Sequence, residues 1–395
     1  MTMTEGNLLD AEDAVASITP KDLKEQIDSG EDTFILDARS ESDFEEWHID
    51  GENVEIVNYP YFQLLDGLPE QLLAELPEEQ QITVLCAKGG SSEMVAESLE
   101  EEGYDVNHLE RGMKGWARIC EYTELDVETD ATIVQYQRPS SGCLAYLVVS
   151  DGEAAVIDPL RAFTDDYTQD ARNLDAELSY AIDTHVHADH VSGVRAVAER
   201  TDATAIMPEA AAARGFEYDR RYETVEDGDA LTVGDIEIDV YHTPGHTTGM
   251  TAYKVGNVLF TGDGLFTESV ARPDLENPEA AQDAARTLYE SLTEKVVMQS
   301  DDTIIAPAHF SDSATPNEDG TYTAVLGELR DTMDALSMDE ESFVEFTASD
   351  MPPRPANYEE IIATNLGRES PDDEEAFELE LGPNNCAAGE QGLLN

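Results

Sequence analysis

The stretch DTHVHADH, residues 183–190, holds three histidines and two aspartates within eight positions. The whole chain of 395 residues has only eight histidines, so this concentration stands out from the composition. The stretch follows the strand-like run LSYAID and precedes GVRAVAER, a run with helical character. Imidazole and carboxylate groups gathered at the end of a strand are common ligands of divalent first-row metals. The stretch therefore predicts a metal site.

Three later segments predict the rest of this site. HTPGH ends in His246, FTGD ends in Asp263 and APAH ends in His309, and the last two close strand-like runs. Six of the eight histidines lie in these segments or in the first stretch. Because strand ends can meet at one edge of a sheet, we expect these side chains to converge. The predicted ligands are His185, His187, Asp189, His190, His246, Asp263 and His309.

The segments THVHADH, TPGHTTG, FTGD and PAH, in this order, resemble the metallo-β-lactamase superfamily over residues 130–350. The resemblance implies an αββα sandwich with two metal positions. One is held by residues matching His185, His187 and His246, the other by Asp189, His190 and His309, and Asp263 bridges the two. The superfamily includes thioester hydrolases, lactamases, nucleases and oxygenases, so the fold alone leaves the reaction open.

A separate α/β domain is predicted over residues 18–122. The runs TFILDAR and QITVLC are typical of strands, and ITPKDLKEQI and SSEMVAESLEEEG are typical of helices. This alternation predicts a parallel sheet covered on both faces. Cys86 ends a strand and opens a glycine-containing loop that leads into a helix, where backbone N–H groups favour a thiolate and can hold a persulfide.

The segments LDARSESDFEEWHIDG, VLCAKGGSSEMVAESLEEEGY and LERGMKGW resemble a rhodanese domain, a sulfurtransferase module. The resemblance implies that Cys86 carries sulfane sulfur. Rhodanese loops often have arginines at their second and sixth positions, where this chain has Ala87 and Ser91, and only Lys88 supplies charge inside the loop. We therefore expect sulfane-sulfur transfer but inefficient use of an anionic donor such as thiosulfate.

The two domains together resemble the persulfide dioxygenase group and its rhodanese fusions. ESVARPDLE is similar to the stretch of that group that contains an active-site arginine, here Arg272, and MPPRPANYEEIIATNLG resembles the C-terminal portion of the fusions. In that group a single Fe²⁺ is held by the positions matching His185, His246 and Asp263. The resemblance implies oxidation of a small-molecule thiol persulfide by O₂ to sulfite and thiol. Arg272 would pair with a carboxylate of the thiol carrier or form an ordinary ion pair.

Two other functions stay open at the level of sequence. A glyoxalase II-like thioester hydrolase would use all seven ligands to hold two Zn²⁺ ions, which lower the pKa of a bridging water to about 7. Alternatively, the protein would act only as a sulfurtransferase, with a metal domain that binds persulfide without oxidising it. A homo-oligomer is compatible with any of these functions.

The charge of the chain predicts its surroundings. The sequence has 87 acidic and 22 basic residues, a net charge of −65, and the acids are spread along the whole chain. Molar salt would screen the self-repulsion, so we infer a halophilic protein of the cytoplasm that binds neither nucleic acid nor membrane. The acidic N-terminal tail, residues 1–17, lacks the basic and apolar regions of a signal peptide. Residues 351–395 form a C-terminal extension whose acidic tail includes Cys386.

We predict that the protein loses its cooperative fold in low-salt buffer and regains it in molar KCl. At 1 M salt the Debye length falls to about 3 Å, so repulsion between surface carboxylates is largely screened. Circular dichroism melts over a series of KCl concentrations measure the effect. A melting temperature that does not respond to salt would contradict the prediction.

Overall fold

The computed structural model describes residues 15–65, 67–218, 221–311, 314–349, 351 and 353–382. Most of the predicted N-terminal tail, residues 1–14, and Cys386 lie outside the described residues. The chain forms two compact units, Met1–Ile119 and Cys120–Asn395. The division falls slightly before residue 122, where the sequence analysis placed the end of the first domain.

The first unit contains a parallel sheet with the strand order β1-β5-β4-β2-β3. Its strands are β1 (Ala16–Ile18), β2 (Thr33–Asp37), β3 (Val54–Asn58), β4 (Ile82–Leu85) and β5 (Val106–Leu109). Its helices are α1 (Pro20–Asp28), α2 (Glu41–Glu46), α3 (Glu70–Leu73), α4 (Gly90–Glu101) and α5 (Gly112–Trp116). The predicted parallel sheet is therefore confirmed.

Alternation along β2 gives this sheet a core on each face. Phe34 packs into a cluster with Leu99 of α4, whereas its neighbour Ile35 packs into a second cluster with Leu23 of α1. Successive side chains of a strand point to opposite faces, so an apolar run such as TFIL has to be covered on both sides.

The second unit contains two sheets. The first has the order β12-β11-β10-β9-β8-β7-β6, and its strands are β6 (Glu121–Glu124), β7 (Thr132–Arg138), β8 (Cys143–Ser150), β9 (Glu153–Ile157), β10 (Glu177–Ile182), β11 (Thr204–Pro208) and β12 (Tyr222–Val225). The second runs in sequence order from β13 to β18, and its strands are β13 (Ala230–Val233), β14 (Ile236–His242), β15 (Thr251–Val255), β16 (Val258–Gly262), β17 (Ile304–Pro307) and β18 (Ala324–Val325).

Helices cover the outer faces of these sheets, and the inner faces pack on each other. Tyr146 of β8 and Phe260 of β16 belong to the core between the sheets, with ring centroids 4.9 Å apart. The helices are α6 (Thr164–Asn173), α7 (Val194–Arg200), α8 (Glu209–Ala212), α9 (Ala281–Ser291), α10 (Leu326–Thr332), α11 (Glu340–Ala348), α12 (Tyr358–Asn365) and α13 (Asp373–Leu379). Tyr167 of α6 packs on the first sheet, and Leu288 of α9 packs on the second. The predicted αββα sandwich is confirmed.

Within the described residues, every helix is too short or too polar to cross a membrane.

The topology brings the predicted ligand segments to strand ends. Strands β9 and β10 run parallel, as do β16 and β17, so each pair ends at the same edge of its sheet. The stretch 183–190 follows β10, Asp263 follows β16, and His309 lies two residues after β17. The carboxyl ends of neighbouring parallel strands are where polar loop residues can collect without interrupting the core.

Candidate metal centre

His185, His246 and Asp263 form a compact group that we call the first set. The Nε2 atom of His185 lies 3.7 Å from Oδ2 of Asp263, and Nε2 of His246 lies 3.6 Å from the same oxygen. All three side chains are buried, and the Nε2 atom of His185 and the Oδ2 atom of Asp263 have no hydrogen-bond partner. Three buried ligand atoms that face each other beyond hydrogen-bond distance leave room for an ion at their centre.

Hydrogen bonds on the far side of both imidazole rings fix their orientation. Nδ1 of His246 donates to the carbonyl oxygen of Arg272 at 2.9 Å. Nδ1 of His185 lies 2.9 Å from the hydroxyl of Thr184, which in turn donates to Asp158 at 2.9 Å. Both rings therefore present an unprotonated Nε2 to Asp263, the tautomer that a metal ligand requires.

The charge state of the first set also suits a metal. Burial lowers the pKa of His185 well below its usual range, neighbouring His187 lowers it further, and burial likewise lowers the pKa of His246. Burial alone would raise the pKa of Asp263, but the charge of His309 and its hydrogen bond hold that pKa below its usual range. Two neutral imidazoles and one carboxylate are a suitable donor set for a divalent first-row metal.

Asp189, His190 and His309, which we call the second set, are bonded to one another. Oδ2 of Asp189 accepts from Nδ1 of His190 at 2.9 Å and from Nε2 of His309 at 2.6 Å. The other ring nitrogen of His309, Nδ1, donates to Oδ1 of Asp263. Asp189 and His309 thus already hold hydrogen bonds, whereas Nε2 of His190 has no partner.

His187 is held by a carboxylate that the sequence analysis did not include. Its Nε2 atom lies 3.0 Å from Oδ1 of Asp158, and its Nδ1 atom has no partner. The ring centroid lies 4.1 Å from those of His185 and His190, between the two sets. Since Nε2 is engaged, only Nδ1 of His187 is available to a metal.

Arg272 contributes to the site through its backbone, and its guanidinium group is paired within the protein. The side chain is 1% exposed, with Nε 2.7 Å from Oδ1 of Asp274 and Nη1 donating to the carbonyl of Pro353 at 2.9 Å. Pairing of Arg272 with a carrier carboxylate stays a prediction. In the structure, its carbonyl orients His246 and its side chain lies away from the surface.

In the first unit, Cys86 lies at the end of β4 in the loop that leads to α4. Its Sγ atom accepts a hydrogen bond from the backbone N–H of Gly89 at 3.1 Å and lies 3.4 Å from the hydroxyl of Ser92. Gly89 has a φ of +98°, which a residue with a side chain rarely adopts. The loop thus directs one backbone donor at the sulfur, whereas the hydroxyl of Ser92 donates to the carbonyl of Gly89 at 2.9 Å and accepts from the thiol. The persulfide-carrying role of Cys86 stays a prediction.

Sequence reasoning missed four residues around the metal ligands. Cys143 donates from Sγ to Asp189 at 3.2 Å, and Asp158, Asn365 and Glu380 bond to the metal loop, residues 183–192. Asp158 gave one signal in the sequence, because it directly follows the apolar run AAVI, and a buried aspartate at the end of such a run needs a partner. No local pattern marks Asn365 or Glu380.

Comparison with known protein families matches residues 139–309 to the metallo-beta-lactamase superfamily and residues 19–119 to the rhodanese-like domain. The chain is 28% identical over 216 residues to persulfide dioxygenase ETHE1 of Homo sapiens, an alignment that spans 54% of this chain and 78% of the relative. It is 30% identical over 199 residues to the hydroxyacylglutathione hydrolase of Mesorhizobium japonicum, spanning 49% of this chain and 75% of the relative.

A solved structure gives a similar result. The crystal structure of ETHE1 from Myxococcus xanthus aligns with a TM-score of 0.51 and 28% identity, covering 60% of this chain and 98% of that protein. The predicted superfamily and the predicted rhodanese domain are both confirmed. The chain belongs to the metallo-beta-lactamase superfamily and carries a rhodanese-like domain N-terminal to the domain that contains the candidate metal centre.

Proposed function

We propose that the protein oxidises the persulfide of a low-molecular-weight thiol with O₂, using one iron ion at the first set. The balanced reaction is R–S–SH + O₂ + H₂O giving R–SH + SO₃²⁻ + 2 H⁺. The outer sulfur is oxidised to sulfite, O₂ is reduced, and the thiol carrier leaves unchanged. The similarity to persulfide dioxygenases in both sequence and structure supports this choice.

The observation that carries the proposal is the contrast between the two sets. In the first set, Nε2 of His185 and Oδ2 of Asp263 lack partners and face each other at 3.7 Å. In the second set, Nε2 of His190 also lacks a partner, but Oδ2 of Asp189 already accepts hydrogen bonds from His190 and His309. Two histidines and one carboxylate around a single ion match the donor set of non-haem iron oxygenases. The arrangement therefore supports one metal more than two.

The residues of this chain would bind the ion, orient its ligands and exclude water. His185, His246 and Asp263 would hold iron(II), which would supply the redox chemistry that O₂ requires. Arg272 and Thr184 keep the two imidazole rings in the binding orientation. His309 holds a proton between Asp189 and Asp263, so the carboxylate of Asp263 stays ionised.

Cys86 would carry sulfane sulfur between thiols. Its thiolate attacks the outer sulfur of R–S–SH, the S–S bond of the donor breaks, and the products are R–S⁻ and a Cys86 persulfide. The N–H group of Gly89 donates to this sulfur at 3.1 Å. The same step in reverse returns the sulfur to a thiol.

A binuclear thioester hydrolase is the second candidate function. The 30% identity to a hydroxyacylglutathione hydrolase favours it, and all seven ligand positions of a binuclear site are present. Two zinc ions would require His309 and Asp189 to give up their mutual hydrogen bond. We therefore place this function after the dioxygenase.

We predict that the anaerobically purified, iron-loaded protein consumes O₂ when a soluble thiol persulfide is added and releases sulfite in equal amount. It should release no thiol from an acyl thioester under anaerobic conditions, because a mononuclear centre lacks a bridging nucleophile. An oxygen electrode and thiol titration measure the two reactions. Thioester turnover without O₂, together with no persulfide-dependent O₂ uptake, would replace the proposal with the hydrolase.

Ligand variants should separate the two sets. We predict that His190→Ala and His309→Ala each retain about one iron per chain, whereas Asp263→Ala loses the metal. The reason is that Asp263 is a ligand of the first set, and His190 and His309 are not. Inductively coupled plasma analysis of each variant gives the metal content. A wild-type protein with two zinc ions, one of which is lost in His309→Ala, would show that the second set binds metal.

For the first unit, we predict that Cys86→Ser abolishes transfer of sulfane sulfur to cyanide but leaves O₂ uptake on added soluble persulfide largely intact. The reason is that the sulfur nucleophile and the metal ligands lie in different units. Cys120→Ser, which replaces a cysteine outside the Cys86 loop, serves as the control and should keep both activities. If O₂ uptake falls with transfer in Cys86→Ser while the iron content is normal, the two roles are not separable.

A further inference from the structure

The side chain of Asn365, the last residue of α12, bonds to the backbone of the metal loop at three points. Its Oδ1 atom accepts from the N–H of Ser192 at 2.9 Å. Its Nδ2 atom donates to the carbonyl of His187 at 3.0 Å and to the carbonyl of His190 at 2.8 Å. The side chain is buried, so these bonds are shielded from competition with water. One amide thus holds the part of the loop, residues 187–192, that follows His185 and carries three of the ligands predicted from the sequence.

Glu380, which directly follows α13, provides a second attachment. Its Oε1 atom accepts from the N–H of Val191 at 2.8 Å, and its Oε2 atom pairs with Nη1 of Arg138 at 2.6 Å. Both side chains of this ion pair are 1% exposed. The C-terminal helices therefore contact three consecutive loop residues, His190, Val191 and Ser192.

The metal loop needs hydrogen-bond partners from elsewhere because its backbone forms no regular secondary structure. Residues 184–190 lie outside any strand or helix, and the loop is almost wholly buried. Backbone N–H and C=O groups that are buried must find partners elsewhere in the protein. For His187, His190 and Ser192 the partner is Asn365, which lies between 173 and 178 residues further along the chain.

We propose that Asn365 is a positioning residue of the metal centre, which holds the metal loop in its ligand-presenting conformation before any metal binds. Asn365 lies in the segment that the sequence predicted to be a C-terminal extension, so this segment contributes a residue to the metal centre. The inference rests on the proposed metal site but not on the reaction proposed for it. It concerns the affinity of the site for a metal, which is measured without substrate.

The test compares Asn365→Ala with Thr364→Val. Thr364 is the preceding residue of α12 and is equally buried, but its hydroxyl has no hydrogen-bond partner in the structure. We expect Asn365→Ala to bind Co²⁺ about 10-fold more weakly than the wild type in competition with a chelator, the lower end of the usual effect of losing a residue that orients metal ligands, because Asn365 holds the loop beside His185 and does not bond to a ligand of the first set itself. Thr364→Val should bind as the wild type does. The Co²⁺ absorption spectrum should change only in Asn365→Ala.

The outcomes separate the inference from the proposed function. If Asn365→Ala melts at a lower temperature but binds Co²⁺ as tightly and with the same spectrum, Asn365 is merely structural and the inference is wrong. If the wild type itself binds no metal, the proposed function fails first.

A measurement on the wild type covers the case in which Asn365→Ala does not fold. The amides of Val191 and Ser192 are bonded to Glu380 and Asn365, so we expect both to be protected from hydrogen exchange in the metal-free protein. Fast exchange in the metal-free protein that becomes slow only when Co²⁺ is added would overturn the inference, because the metal would then be what orders the loop.

Discussion

The need of buried polar atoms for partners determines the geometry of the metal centre. Burying an unpaired polar group costs free energy, and each imidazole of the metal loop has one ring nitrogen held by the protein and one without a partner. Asp158 takes Nε2 of His187, and the carbonyl of Arg272 takes Nδ1 of His246. The atoms left without partners include Nε2 of His185 and Oδ2 of Asp263, which face one another. A metal ion would provide the partner that these atoms lack. The hydrogen bonds that orient the imidazole rings therefore stabilise the buried loop and also prepare the proposed metal site.

The sequence predicted the parts of the structure that depend on residues close together in the chain. Apolar runs predicted strands such as β2, β4 and β10, and the polar residues that follow two other runs included Asp263 and His309. The sequence did not predict which groups hold the ligands, because those pairs are distant along the chain. Asp158 lies 29 residues from His187, and Asn365 lies 175 residues from His190. Periodicity reports which face of an element is buried, but it carries no information about such pairs.

Three of the few basic residues of this acidic chain are buried in ion pairs. Arg39, Arg138 and Arg272 are each buried and paired with a carboxylate, namely Asp37, Glu380 and Asp274. Removing one partner of a buried ion pair is strongly destabilising, so each of these arginines is needed to neutralise a buried carboxylate. Among the residues that the structure describes, most acidic side chains are exposed or partly exposed. We therefore expect dissolved salt to screen the repulsion between them.

Anomalous diffraction from crystals of the anaerobically iron-loaded protein would test the central claim most directly. We expect one iron peak per chain, within coordination distance of Nε2 of His185, Nε2 of His246 and a carboxylate oxygen of Asp263. We also expect that the hydrogen bonds between Asp189 and His309 persist when iron is bound. Two metal peaks, with the second coordinated by Asp189, His190 and His309, would contradict the claim.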